Sequence, residues 1–251
     1  MKKKLKNHDV FQLPSDGKIQ LVVDEGAEVW VECARAQMDQ KIEVQIKPGA
    51  HLRWMTYHSG KSEKTFTLEE GARLDYYHHI LGASEENMKI FLEGDESSAV
   101  SQTIFFGQGN DKQTLRVDHI HQGKNTRSRM ISRGAVKDSA FGHFYGNIRM
   151  LPGCSGADAS LEEHNLLLSK GCKIEAVPGL EIQHNEVQAS HSATLEKVDE
   201  EKLFYLQSRG LSPKEGLELL VEGFFWDALQ KCPNLAFSER IFKDILKCLS
   251  K

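Results

Sequence analysis

Between Ile19 and about Thr194 the apolar residues of this chain recur at every second position, in short runs closed by glycine and other turn formers. Ile19, Leu21 and Val23 form one such run; Val29, Val31 and Cys33, then Ile42, Val44 and Ile46, form the next two. Met88, Ile90 and Leu92 repeat the pattern, as do Leu115 and Val117, and then Phe144, Ile148 and Met150. A period of two places all members of a run on one face of a half-buried strand, so this region is predicted to be all-β. The corners constrain it further. Gly-Ala pairs stand at Gly26-Ala27, Gly49-Ala50 and Gly71-Ala72, and Gly94 follows at similar spacing. Steps of about 22 residues fall in the range that signals stacked repeats. The series is expected to resume less regularly at Gly134-Ala135, Gly153-Cys154 and Gly171-Cys172. One coil per repeat, each burying its inner face on its neighbours, describes a solenoid, with a two-sheet sandwich as the competing fold.

At Asp199 the period changes. Asp199 suits an N-cap, Glu200 and Glu201 suit the positive end of a helix dipole, and Gly210 suits the residue after a helix C-cap. Ser212-Pro213-Lys214-Glu215 is a capping box with proline at the first helical position. The helix it opens carries Leu217, Leu220, Val221 and Phe224 on one stripe, with Phe225 and Trp226 on its flank. The four stripe residues are expected to serve the core, and the flank to face a partner. Pro233 ends this helix, and Phe237 to Leu249 reads as a last amphipathic segment. The chain is thus expected to divide into a β domain, 1–197, and a helical subdomain, 198–251.

Composition narrows the function. A net charge of −4 argues against a nucleic-acid partner, and no apolar run is long enough to span a membrane. Met1 to Lys6 is basic with no apolar stretch behind it, so a secretory signal is not expected. The five cysteines are scattered and contain no Cys-x-x-Cys pair, which predicts reduced, mostly buried thiols and a cytoplasmic location. Nucleotide-binding, nucleophile-elbow and zinc-protease motifs are missing, so the chain is read as neither an enzyme nor a nucleotide binder.

Histidine is where chemistry is sought, with 11 in the chain. His119 and His121 share a strand face and are either a chelating pair or a polar strand end. Tyr76-Tyr77-His78-His79 reads as a strand of mixed burial, its two histidines on opposite faces. His191, between Ser190 and Ser192, has small neighbours that leave its ring accessible, which makes it a candidate metal ligand. The pairs Glu69-Glu70 and Glu162-Glu163 read as solvated surface.

Several ordered words resemble one family, the SufB/SufD iron–sulfur cluster assembly proteins. They are HQGKNTRS (121–128), RGAVKD (133–138), NLLLS (165–169), PGLEI (178–182), SHSAT (190–194), FYLQSRGLS (204–212) and LVEGF (220–224). The segments 132–138, 166–169 and 189–194 read as sheet edges and turns, and 204–212 as the opening of the helical tail. The resemblance implies a right-handed parallel β-helix with a C-terminal helical part. It also implies a scaffold role beside a SufC-like ABC-type ATPase that docks on the C-terminal helices. The dimer partner is expected to be a SufB-like paralogue or a second copy of the chain, joined by sheet continuation near Ala189–Thr194. A nascent iron–sulfur cluster would be held transiently, with His191 matching a histidine ligand of SufD-like members. Glu163 stands where SufB-like members have a cysteine, and Ser192 where they have a carboxylate. Both departures point to a SufD-like role or to a different cluster site. The chain is expected to be a short form without the helical N-terminal region of longer members. Two rivals stay open: a β-helix glycan lyase or hydrolase, and a homodimeric β-helix with no cluster role.

Overall fold

The computed structural model describes residues 2–6, 10–12, 16–34 and 38–249. Among these residues fourteen strands alternate with turns before three helices. The strands are β1 (Lys2–Leu5), β2 (Val10–Gln12), β3 (Asp16–Val23), β4 (Glu28–Ala34), β5 (Met38–Ile46), β6 (His51–Leu68) and β7 (Arg73–Leu92). After them come β8 (Ser98–Gly107), β9 (Lys112–His121), β10 (Arg127–Val136), β11 (Phe141–Met150), β12 (Asp158–Leu167), β13 (Lys173–Ile182) and β14 (Gln188–Lys197). Every pairing is parallel, and pairing skips one strand at a time except around the long strands β6 and β7, where β5, β6, β7 and β8 pair consecutively. Two walls result. One stacks β4, the first halves of β6 and β7, and then β8, β10, β12 and β14. The other stacks β3, β5, the second halves of β6 and β7, and then β9, β11 and β13. This is the expected parallel β-helix. A sandwich of antiparallel sheets is excluded.

The alternating residues named above line the interior between the walls, from Ile19 at one end to Ile174 at the other. Corners are built as the Gly-Ala pairs predict for the first coils. Gly49 and Gly71 adopt φ of +65° and +62°, a left-handed conformation that a side chain disfavours, and each donates its N–H to the next corner. Later coils differ. His51 pairs with Arg73, but Arg127 pairs with Asp158, so the coil has lengthened from 22 to 31 residues. Glu96 and Asn125 then take the left-handed corner positions, which hides the repeat from a search for glycine. Gly134 is not a corner. It lies within β10, where an added Cβ would sit 1.9 Å from the Phe105 ring. Likewise 132–136 belongs to a strand paired on both sides rather than to an edge, whereas 189–194 lies on β14, which has a neighbour on one side only.

Helix α1 (Glu200–Ser208) is capped by Asp199, which accepts from the N–H groups of Glu201 and Lys202, and Gly210 follows with φ of +97°. Helix α2 (Pro213–Lys231) starts on the predicted capping box, and α3 (Leu235–Leu249) completes the tail. α2 and α3 lie on the outer face of the first wall. There Val221, Phe225, Ala228, Leu229, Phe237, Ile241 and Ile245 pack against Met55, Tyr77, Ile104, Phe106, Ala135 and Leu166. Gln102 Nε2 donates to the Ala228 carbonyl at 2.7 Å, which pins α2 to β8. The flank is corrected by this packing. Phe225 is fully buried in the wall–helix core, while Trp226 is 51 % exposed. The buried stripe of α2 is thus Val221, Phe225, Ala228 and Leu229, with Leu217, Leu220 and Phe224 only partly buried beside it.

Candidate functional site

The β-helix ends in an open coil. β13 pairs only with β11 and β14 only with β12, so both present unpaired backbone groups. Ile182 and Leu195 stand on the axis-facing phase of these strands and are about half exposed, because no further coil covers them. His191 occupies the same phase on β14. It pairs in register with Leu161 and is exposed at the mouth of the coil. The predicted candidate ligand thus lies on an accessible edge.

Glu163 lies one rung deeper, opposite Ala193, and is fully buried. Asn165 Nδ2 donates to its Oε1 at 2.8 Å, and its Oε2 has no protein partner. Burial pushes its carboxyl up to about 7, against the lowering effect of Asn165. The reading of Glu162-Glu163 as surface fails for Glu163, since adjacent strand residues face opposite sides. A polar file leads inward from it. Glu163, Ser132, Thr103, His78 and Thr56 stack in successive coils in strict register, all buried.

At the far end of that file lies a second group of side chains, at the bend where β6 and β7 cross from one wall to the other. His58 and His78 bring their Nε2 atoms to 2.9 Å of each other, and Glu86 Oε2 lies 3.6 and 3.8 Å from them. These three form the one group among the described residues with metal-ligand spacing. Lys64 Nζ donates to Glu86 Oε1 at 2.6 Å and to Ser62 Oγ at 2.7 Å, and the Ser62 hydroxyl donates to Glu86 Oε2. Burial, reinforced by the Lys64 charge, depresses both imidazoles, His58 to about 3 and His78 well below its usual value. Burial also lowers Lys64, opposed by Glu86. Periodicity carried a signal for this cluster. Lys64 and Glu86 are charged residues on the inward phase of runs that continue as Phe66, Leu68 and Met88, Ile90.

His119, His121 and His79 are held structurally. His119 Nε2 meets Ser101 Oγ at 2.8 Å, and His121 bonds Thr126 and Ser128, so the pair shares a face without converging on a third ligand. His79 is as buried as His78. It faces outward, but there it meets Phe237 of α3, so the segment is not of mixed burial. Four of the five cysteines are buried and all are free thiols. On the outer face of the second wall, Lys41–Glu63 and Lys61–Glu85 pair at 3.0 and 2.8 Å. Each of these carboxylates is matched to a lysine rather than opposed to another carboxylate, as sugar hydrolysis requires. On the helical side, Trp226, Leu235 and Phe242 line a shallow groove of about 200 Å³ between α2 and α3. Among the described residues no helix is long and apolar enough to cross a membrane.

The fold is a parallel β-helix with a helical layer on one wall and a histidine on its open edge, the architecture that the resemblance to the SufB/SufD family implies. Comparison with known proteins agrees: residues 12–224 match the family described as SUF system FeS cluster assembly, SufBD core domain. The chain belongs to the SufB/SufD family of iron–sulfur cluster assembly proteins. It is 32 % identical to the iron–sulfur cluster assembly protein SufD of Bacillus subtilis over 142 residues, 57 % of this chain and 32 % of that protein. A SufBD family protein of Staphylococcus aureus is 27 % identical over 232 residues, 85 % of this chain and 49 % of the relative. One from Mycobacterium leprae is 26 % identical over 201 residues, 76 % and 23 % of the two chains. The chain therefore spans half or less of the length of the curated relatives it matches.

Proposed function

We propose that this chain is a non-catalytic component of an iron–sulfur cluster assembly scaffold, working with an ABC-type ATPase in the SufD-like role. The observation that carries this reading is the open last coil, with His191 on the axis-facing phase of an unpaired strand. A solenoid end that exposes Ile182 and Leu195 calls for a cap, and a second β-helix continuing both walls supplies one. The partner is a SufB-like paralogue or a second copy of this chain. At such a junction His191 would offer an imidazole lone pair to iron from one side while the partner supplies stronger ligands from the other. A nascent cluster held by few thiolates is easily passed on, which suits cargo rather than a resident cofactor.

The ATPase is assigned to the helical layer. Trp226 and Leu235 are exposed there beside Phe242, an apolar surface of the kind that interfaces bury. Trp226→Glu should abolish co-purification with the ATPase while the circular dichroism spectrum stays unchanged. Retention of the ATPase by that variant would move the docking surface elsewhere. The reading as a whole is tested by co-expression with an ABC-type ATPase and a SufB-like protein, followed by anaerobic purification. A stable complex that dissolves when β14 carries an edge-blocking proline at Ala193, whose N–H faces away from β12, supports it; failure to form any complex at micromolar concentration contradicts it.

A further inference from the structure

We propose that His58, His78 and Glu86 form a binding site for one divalent first-row transition-metal ion inside the β-helix, separate from the open coil. Three lone-pair atoms converge there, with separations of 2.9, 3.6 and 3.8 Å. Metal–ligand bonds of about 2.0–2.2 Å place neighbouring donor atoms about 2.9–3.6 Å apart; two sides of the triangle fall in that range and the third, at 3.8 Å, closes to it with a small rotation of the Glu86 carboxylate. Two histidines and a carboxylate on one face are the donor set of iron(II) sites, and zinc accepts it as well.

The proton inventory points the same way. His58 Nδ1 lies 3.3 Å from the Ser59 carbonyl, which places its proton on Nδ1 and leaves Nε2 as a lone pair that faces His78 Nε2 at 2.9 Å and, at the longer distance of 3.4 Å, Lys64 Nζ. His78 Nδ1 has no protein partner, although the ring is fully buried. If His78 donates from Nε2 to His58, its Nδ1 lone pair is orphaned in the interior. If its proton sits on Nδ1 instead, two Nε2 lone pairs face each other at 2.9 Å. A cation between them removes that repulsion, and the carboxylate neutralises part of its charge. Glu86 is already oriented for this. Ser62 donates to its Oε2 and Lys64 to its Oε1, the kind of outer-layer hydrogen bonding that fixes a ligand's direction. Lys64 is the countercharge of Glu86 when no metal is bound; its Nζ lies 2.6 Å from Glu86 Oε1 and 3.4 Å from His58 Nε2, so an ion on the imidazoles displaces it toward Oε1.

The site lies within the walls, so an ion is captured as the coils close during folding. Cobalt(II) is a suitable probe, because its visible bands report coordination. The full chain, produced in cells given cobalt(II) and purified without chelators, is expected to hold about one cobalt per chain with visible absorption of a nitrogen–oxygen site. Glu86→Gln keeps the shape and should lower the content at least about tenfold. Because that variant leaves Lys64 unpaired, the double variant Lys64→Met/Glu86→Gln removes both buried charges and should fold and carry no cobalt. His191→Ala should retain the full content, which separates this site from the cluster-assembly reading. Cobalt absent from the folded wild-type chain, or undiminished in the folded double variant, overturns the proposal.

Discussion

Replacing Phe225 by alanine should lower the stability of the protein by about 3–5 kcal/mol, the range for truncating a fully buried phenylalanine. Phe225 has no exposed surface and sits in the core that joins α2 and α3 to β8, β10 and β12. Its neighbours there include Ile104, Phe106 and Ala135, which stand on a rigid parallel wall and cannot move in to fill the space. Most of the cavity term should therefore be felt. Urea unfolding followed by far-ultraviolet circular dichroism measures it. Phe204→Ala is the control, because Phe204 is 72 % exposed on α1, and a surface change of that kind stays within about 0.5 kcal/mol. A loss below about 1 kcal/mol for Phe225→Ala would mean that the helices rest loosely on the wall.

Acidification should unfold the chain well before its carboxylates are exhausted. His119 and His121 are buried, and desolvation depresses them to about 3 and about 4. In the unfolded chain both take up protons near pH 6.5. The stability they contribute is complete above that pH and is lost as the pH falls from 6.5 toward 4, by about 1.4 kcal/mol per unit for each ring. His79, held to about 3 by burial, adds in the same direction. Glu163 opposes them. Its folded value of about 7 lies above the unfolded one, so its contribution is full below about pH 4.3 and is lost as the pH rises to about 7. Three histidines outweigh one carboxyl, so net stability should fall by about 2 kcal/mol from pH 6.5 to 5.5. Urea midpoints across this range test the sign. Glu163→Gln should steepen the decline, because it removes the opposing group. Midpoints that stay level or rise toward pH 5 would show that these rings are protonated in the folded state.

The strands, the first corners and the caps of the tail were legible because each is fixed by neighbours in sequence. Gly49 and Gly71 announce a left-handed corner, and Ser212 with Glu215 announces a helix start. Asn125 announces much less, although it does the same work in a longer coil. Contacts between layers were not legible. Phe225 and Trp226 are adjacent and alike in type, and only the position of the outer wall decides which is buried. The interior cluster shows the same limit. His58, His78 and Glu86 are separated by 20 and 8 positions, and they meet only because the coil length brings two bends together. His191 was found through its small neighbours and a family likeness, and its place on an open edge follows from β14 being the last strand of its wall.

The most direct measurement is anaerobic cluster reconstitution with an ABC-type ATPase and a SufB-like protein, scored as cluster formed per complex. The wild-type chain should raise the yield several-fold over its omission, and His191→Ala should return it to the level of omission while the complex still assembles. Equal yields with and without the chain, in a complex shown to contain it, would contradict the account.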